Sequence, residues 1–293
     1  MTSNFSTQLR AWLLIAGLSG LLVAIGAVIG GGALWIFVIL TVLLNVVMFW
    51  FSDRIALKMS KAQPVSEAEA PQLYQDISDL RTRAGLPMPR VFMIPSDQPN
   101  AFATGRSPSH AAVAVTKGLL DQLPRDQVRG VLAHELAHVR NRDILVTTIA
   151  AVIAGAVSAI ANFLQFSLLF GGGDDDDNPL GFIGALATII IAPLAAALLQ
   201  LAVSRQREYL ADATGAQIMG SGEPLASALE TLDRRSREVP LPVNPATASL
   251  YIVNPLNAFA GRGLTSLFST HPPMEERIRR LRAIDAHLVG ATA

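Results

Sequence analysis

Two of the chain's five histidines, His134 and His138, stand four residues apart, with Glu135 directly after the first. Residues four apart on a helix share a face, so both imidazoles can reach one metal ion at about 2.0–2.1 Å. Glu135 is turned off that axis yet can reach a water beside the metal, which is where a general base sits in a hydrolytic metal site. The chain has no cysteine, so disulfides and thiolate ligands are excluded and any third donor is an imidazole or a carboxylate. Two imidazoles and one carboxylate leave a zinc ion an open position, the arrangement of a catalytic site. The same donors also suit non-haem iron.

The elements that position these residues begin with the bulk composition. Of 293 residues, 51% are hydrophobic and 16% charged, with a formal net charge of zero. No basic face is available, so nucleic acid is not expected as a partner. Residues 11–52 carry no charge, room for two helices of roughly 20 apolar residues each. Gly30–Gly32 divides them into spans at Trp12–Ile29 and Leu34–Phe51. A cleaved signal peptide is the rival reading of the first, but its apolar run exceeds the usual length of about 7–15 residues. A second pair, Ile144–Phe170 and Leu180–Val203, flanks the stretch GGGDDDDNP. Asp174–Asp177 there reads as a solvated tip in preference to a calcium site.

Lysine and arginine lie only on the outer flanks of these hairpins: Arg10, then Arg54, Lys58 and Lys61, then Arg140 and Arg142, then Arg205 and Arg207. Cytoplasmic loops carry the excess of such residues. Both termini and the polar bulk are therefore expected in the cytoplasm. The division that follows is residues 1–52 as a first transmembrane hairpin and 53–143 as a cytoplasmic part with the His-Glu-x-x-His helix. Residues 144–203 form a second hairpin, and 204–293 a cytoplasmic helical part.

Within 53–143, Ser66-Glu-Ala-Glu69 has the pattern of a capping box, expected to open a helix through Leu73, Ile77 and Leu80 that Gly85 closes. PRVFMIP, NAFATGR and AAVAVT read as strands of a small sheet. A helix from Pro124 or Arg125 carries Val128, Val131, Leu132 and Leu136 on one face and is expected to run unbroken into the third span. Residues 223–238 read as another helix and 240–257 as a loop stretch. A last helix follows Pro272 and Pro273, with Ile278, Leu281, Ile284 and Leu288 inward. His110 and His287 belong to no motif.

Topology selects the third donor. Spans three and four are antiparallel, so positions equidistant from their turn lie at similar height. His138 lies about 9 Å before Ile144 and Glu208 about 7.5 Å after Val203, at 1.5 Å per helical residue. Glu208 thus comes beside the histidines if the fourth helix continues through SRQREYLAD. Asp143, five residues after His138 and off the histidine face, is a poorer donor. Asp212, one turn after Glu208, is placed to accept a hydrogen bond from a histidine's other ring nitrogen.

With His134-Glu-x-x-His138 and Glu208-Tyr-Leu-Ala-Asp212 established, the chain resembles the HtpX family of membrane zinc metalloproteases and, more distantly, the CAAX prenyl proteases. NAFATG at 100–105, SRQREYLADA at 204–213 and STHPPMEERI at 269–278 carry the resemblance further, to nearly the whole chain. It implies a mostly α membrane protein with four transmembrane helices and a cytoplasmic α+β zincin-like protease domain containing a small sheet. It further implies one zinc ion on His134, His138 and Glu208, with Glu135 as base. Asn100, Ala101, Phe102 and Ala103 would be an edge strand that pairs with substrate, and His271 an oxyanion donor. Expected partners are polypeptides, chiefly misfolded membrane proteins under stress, and the lipid bilayer. An intramembrane protease and a non-catalytic membrane scaffold or holdase are the alternatives. The polar flanks LPRDQVRG and RNRD weigh against the first, and Glu135 with an open metal position against the second.

Overall fold

The computed structural model describes residues 16, 19, 20, 23, 27, 30–153, 205–241, 247–255 and 272–290. Spans three and four beyond residue 153, Asp174–Asp177 and His271 lie outside them.

Gly30 and Gly31 take positive φ, 78° and 59°, and turn the chain into helix α1, Ala33–Met59. Trp35, Ile36, Ile39, Leu43 and Trp50 stand exposed on α1. Among the described residues this is the one helix long and apolar enough to cross a membrane. It runs past Phe51, so Asp53 and Arg54 belong to its last turns. Arg90 pairs with Asp53, tying the helix end to the strand that starts at Arg90.

Strands β1 (Gln63–Pro64), β2 (Arg90–Ile94), β3 (Ala101–Gly105) and β4 (Ala111–Thr116) form one mixed sheet in the order β1-β2-β4-β3. β2 runs parallel to β4, and β3 antiparallel to it with Ala101 opposite Val115. Side chains alternate across a strand, and here each face meets a different core. Ala101, Ala103, Val113 and Val115 join the core beneath the soluble helices. Phe102, Ala112 and Ala114 join a second core with Ala56 and Leu57 of α1 and with Val146 and Ala150. The sheet is therefore sandwiched between the soluble helices and the ends of the apolar ones.

Helix α2, Pro71–Ala84, closes on Gly85 at φ 68°, the left-handed stop that glycine allows. Ser66 does bond Glu69, its N–H donating at 2.7 Å and its hydroxyl at 2.6 Å. The box caps a turn, however, and the helix starts beyond it at Pro71, whose fixed φ suits a first helical position. After the short α3, Lys117–Gln122, comes α4, Arg125–Asn141. Asp76 on α2, almost fully buried, accepts from both Arg125 and Arg129 and docks α2 on α4.

The expectation of an unbroken helix into the third span is corrected. α4 ends at Asn141, Arg142 takes a left-handed φ of 59°, and a new helix α5 begins at Ile144 and is described to Ile153. Helices α6 (Arg205–Met219), α7 (Glu223–Glu238) and α8 (Met274–Gly290) complete the soluble layer. α6 and α7 both pack on α4. α8 caps α7, Asp285 accepting from the Gly222 and Glu223 N–H groups.

Candidate metal centre

α4 presents His134 and His138 on one side, and α6 lies against that side. Gly215 permits the approach: a Cβ there would lie 3.1 Å from the His134 backbone nitrogen. One turn of α6 nearer its start come Asp212 and then Glu208, facing the same histidines. His134 Nε2 and His138 Nε2 are 3.1 Å apart. Glu208 lies 3.6 Å from His138 Nε2 through Oε1 and 3.9 Å from His134 Nε2 through Oε2. Ligands at about 2.05 Å in tetrahedral array lie about 3.3 Å from one another, so the three donors match the triangle one small cation needs. They form the group that could hold a metal ion among the described residues.

The remaining ring nitrogens are held from behind. His134 Nδ1 is 3.0 Å from Asp212 Oδ1. Asp212 in turn accepts from Arg277 at 2.9 and 2.7 Å, two bonds from one guanidinium. Burial alone would raise the Asp212 carboxyl, but the Arg277 charge and the His134 bond hold it down at about 2. His138 Nδ1 lies 3.0 and 3.1 Å from the two oxygens of Asp143. The helix break makes this contact. Because α4 stops at Asn141 and Arg142 turns left-handed, Asp143 folds back over the histidine it would face away from on a continuous helix. Burial disfavours a charged His138, yet Asp143, Glu208 and Glu135 outweigh it and push its pKa up to about 10. That pocket holds positive charge, as a metal site must.

Glu135 is buried on the same cleft, and burial raises its carboxyl to about 7. The Ala103 main chain of β3 beside it acts the other way and lowers that carboxyl. Asn100–Ala103, expected as an edge strand, do lie at the sheet edge, but all of them are buried. Asn100 donates to the Val253 carbonyl at 2.8 Å, and Phe102 meets the Tyr251 ring edge-on at 5.1 Å between centroids.

Two residues around the site are given no role from the sequence, although Arg277 falls within the stretch STHPPMEERI. Arg277 is 0% exposed, and its signal in the sequence is position. It falls on the inward stripe of α8 with Met274, Ile278 and Leu281, where a cation is out of place unless paired. Asp143, set aside as a ligand, is a partner of one, and only the helix break reveals it.

The model of Peptidase family M48 matches residues 67–285. A protease HtpX homolog of Pelotomaculum thermopropionicum is 52% identical over 281 residues, covering 94% of this chain and 99% of the relative. A protease HtpX homolog of Pyrococcus furiosus is 52% identical over 277 residues, covering 94% and 95%. The crystal structure of S. mikatae Ste24p shares the fold at a TM-score of 0.50 and 23% identity, covering 96% of this chain and 67% of that one. Agreement on this scale, in sequence and in fold, means that the chain belongs to peptidase family M48, together with the HtpX-type proteases.

Proposed function

We propose that the chain is a zinc-dependent membrane endopeptidase whose active site faces the cytoplasm. Its substrates are misfolded or damaged membrane proteins and unfolded cytoplasmic segments. The observation that carries this reading is the convergence of His134, His138 and Glu208 within one cleft that also holds Glu135. His134, His138 and Glu208 would hold the zinc ion, which would supply Lewis-acid polarisation of the scissile carbonyl and of the attacking water.

The chain's own residues do the rest. Asp212, kept ionised by Arg277, lies 3.0 Å from His134 Nδ1 and favours the tautomer that keeps its proton on that nitrogen, which leaves Nε2 as the donor atom. Asp143 does the same for His138. Glu135, with a carboxyl near neutrality, takes a proton from the attacking water and returns it to the leaving nitrogen, work worth typically 10²–10⁴ in rate. β3 offers main-chain groups to an extended substrate, a mode of grip indifferent to most side chains. His271 is carried over from the family resemblance as a donor to the developing oxyanion.

The membrane reading takes α1 as the second of four spans, with residues 1–52 and 144–203 as hairpins around the soluble parts 53–143 and 204–293. The positive-inside rule puts the soluble parts in the cytoplasm. The polar surroundings of α4 and its end at Asn141 favour a site at the membrane surface over one at mid-bilayer depth.

The test is cleavage of unfolded casein by detergent-purified protein, stripped with chelator and then resupplied with zinc. Glu135→Gln is expected to bind zinc as the parent does and to lose at least 100-fold in cleavage. Full activity in that variant would remove Glu135 from the mechanism.

A further inference from the structure

The outer edge of β3, the side turned away from β4, is already taken. Successive residues of a strand turn their main-chain groups to opposite sides. The Asn100 carbonyl accepts from Thr116 N–H on the β4 side at 2.9 Å, so Ala101 and Ala103 face outward. The Ala101 carbonyl accepts from Ile252 N–H at 3.1 Å. The Ala101 N–H is spent on Asn100 Oδ1 at 3.1 Å. Asn100 reads Val253 as a neighbouring strand would, donating to its carbonyl at 2.8 Å and accepting from its N–H at 3.5 Å. The Ile252 carbonyl is itself held by Arg277 Nη1 at 3.2 Å.

Tyr251, Ile252 and Val253 are each 2% exposed or less, and Leu250 is 9% exposed. Ser249–Ile252 line the same cleft as His134, Glu135, His138 and Glu208. Within it remains a free volume of about 20 Å³, room for about one water. A peptide backbone does not fit there. Further along, Gln98 donates to the Val239 and Pro255 carbonyls at 2.5 and 3.2 Å and fastens the far end of the segment to α7.

We propose that Leu250–Val253 is an internal occupant of the substrate's strand position, so that the enzyme rests shut. What opens it is an extended, uncharged, apolar stretch of an unfolded polypeptide, which replaces this segment on the β3 edge. This rests on the protease reading above and adds the regulation and substrate class of the same site. The chemistry of the occupant sets the chemistry of its replacement. Leu250 and Tyr251 lie in the core shared with Phe102 and α1, Ile252 and Val253 in the core beneath the soluble helices. An incoming charged side chain would be buried there without a partner. A folded protein offers no free strand of this kind, and a cell's intact proteins are thereby spared.

The native chain has no cysteine, so Ile252→Cys gives a single buried thiol as reporter, with Leu250→Cys as a second should the first lower metal content. Each is placed in the zinc-loaded full chain carrying Glu135→Gln, so that bound polypeptide is not cut. Maleimide labelling is then timed alone, with unfolded casein, and with a natively folded protein. The expected result is slow labelling alone and with the folded protein, and at least tenfold faster labelling with casein. Fast labelling from the outset, or labelling unmoved by casein, overturns the proposal whether or not the parent enzyme cuts casein. Casein that speeds labelling yet is left uncut by the zinc-loaded parent keeps the internal occupant and rejects the protease reading.

Discussion

Arg277 shows how the centre tolerates so much buried charge. Its guanidinium is fully enclosed and would be strongly destabilising alone, but two bonds to Asp212 and one to the Ile252 carbonyl satisfy it. The opposite side of the site leans the other way, since Asp143, Glu208 and Glu135 surround His138 and raise its pKa to about 10. A metal binds only the neutral imidazole. At pH 7 the metal-free His138 is therefore protonated, and zinc uptake must expel that proton. We expect release of about one proton per zinc at pH 7, with affinity weakening about tenfold per unit as pH falls below about 10. Calorimetry in buffers of different ionisation enthalpy reads this directly. The same shift contributes stability to the metal-free fold below pH 6.5 that is lost as pH rises through about 10. Asp143→Ala is expected to lower both the proton count and the zinc affinity, the latter by 10–100-fold. An unchanged count would show that Asp143 does not set the His138 charge.

At the scale of elements, the site depends on how closely α6 lies on α4. Gly215 sits where a Cβ would be 3.1–3.3 Å from the His134 and Ala133 backbone. Gly130, further back on α4, faces α7, where a Cβ would stand only 2.6 Å from the Leu225 backbone nitrogen. Both helices are thus seated on α4 by missing side chains. Gly215→Ala makes no contact with a metal, yet it must lift α6 by a few tenths of an ångström at the residue facing His134. Since Glu208 and Asp212 ride on the same helix, we expect at least a tenfold loss of zinc affinity with helix content unchanged. Metal content after dialysis and far-ultraviolet circular dichroism together check it. Wild-type zinc affinity would mean the helices adjust elsewhere.

Over the whole molecule, the sheet joins two environments. Its one face is packed by the soluble helices and its other by the ends of α1 and α5. Thr104 on β3 bonds Thr148 on α5 at 2.9 Å, and Arg106 just beyond β3 stacks on Trp50 of α1 at 4.7 Å. The proposed substrate strand is therefore fastened directly to the apolar helices. The orientation is open to a direct check. Gly32→Cys, at an exposed tip with open space around its Cβ, is expected to react with an impermeant maleimide outside intact cells. Lys61→Cys, beyond the other end of α1, is expected to react only after permeabilisation. The reverse pattern would invert the topology.

Glu208 was reached through the expected pairing of spans three and four, most of which lies outside the described residues. His134, Glu135 and His138 were legible from spacing because helical periodicity is a local rule that sequence separation alone can carry. The strands 90–94, 101–105 and 111–116, the Gly85 stop and the apolar α1 were legible for the same reason. Asp143 was not, because a left-handed Arg142 carries no glycine to announce it and the break is decided by the packing of α4 and α5 around it. Arg277 was visible only as a cation on an apolar stripe, and its partner Asp212 lies 65 residues away in sequence. The segment 250–253 carries no motif at all. That it lies along β3 depends on contacts spanning some 150 positions, and such long-range contacts leave no periodicity in the chain. Sequence determined which side chains could do the chemistry. Only the tertiary structure decided what holds them ready and what fills the cleft beside them.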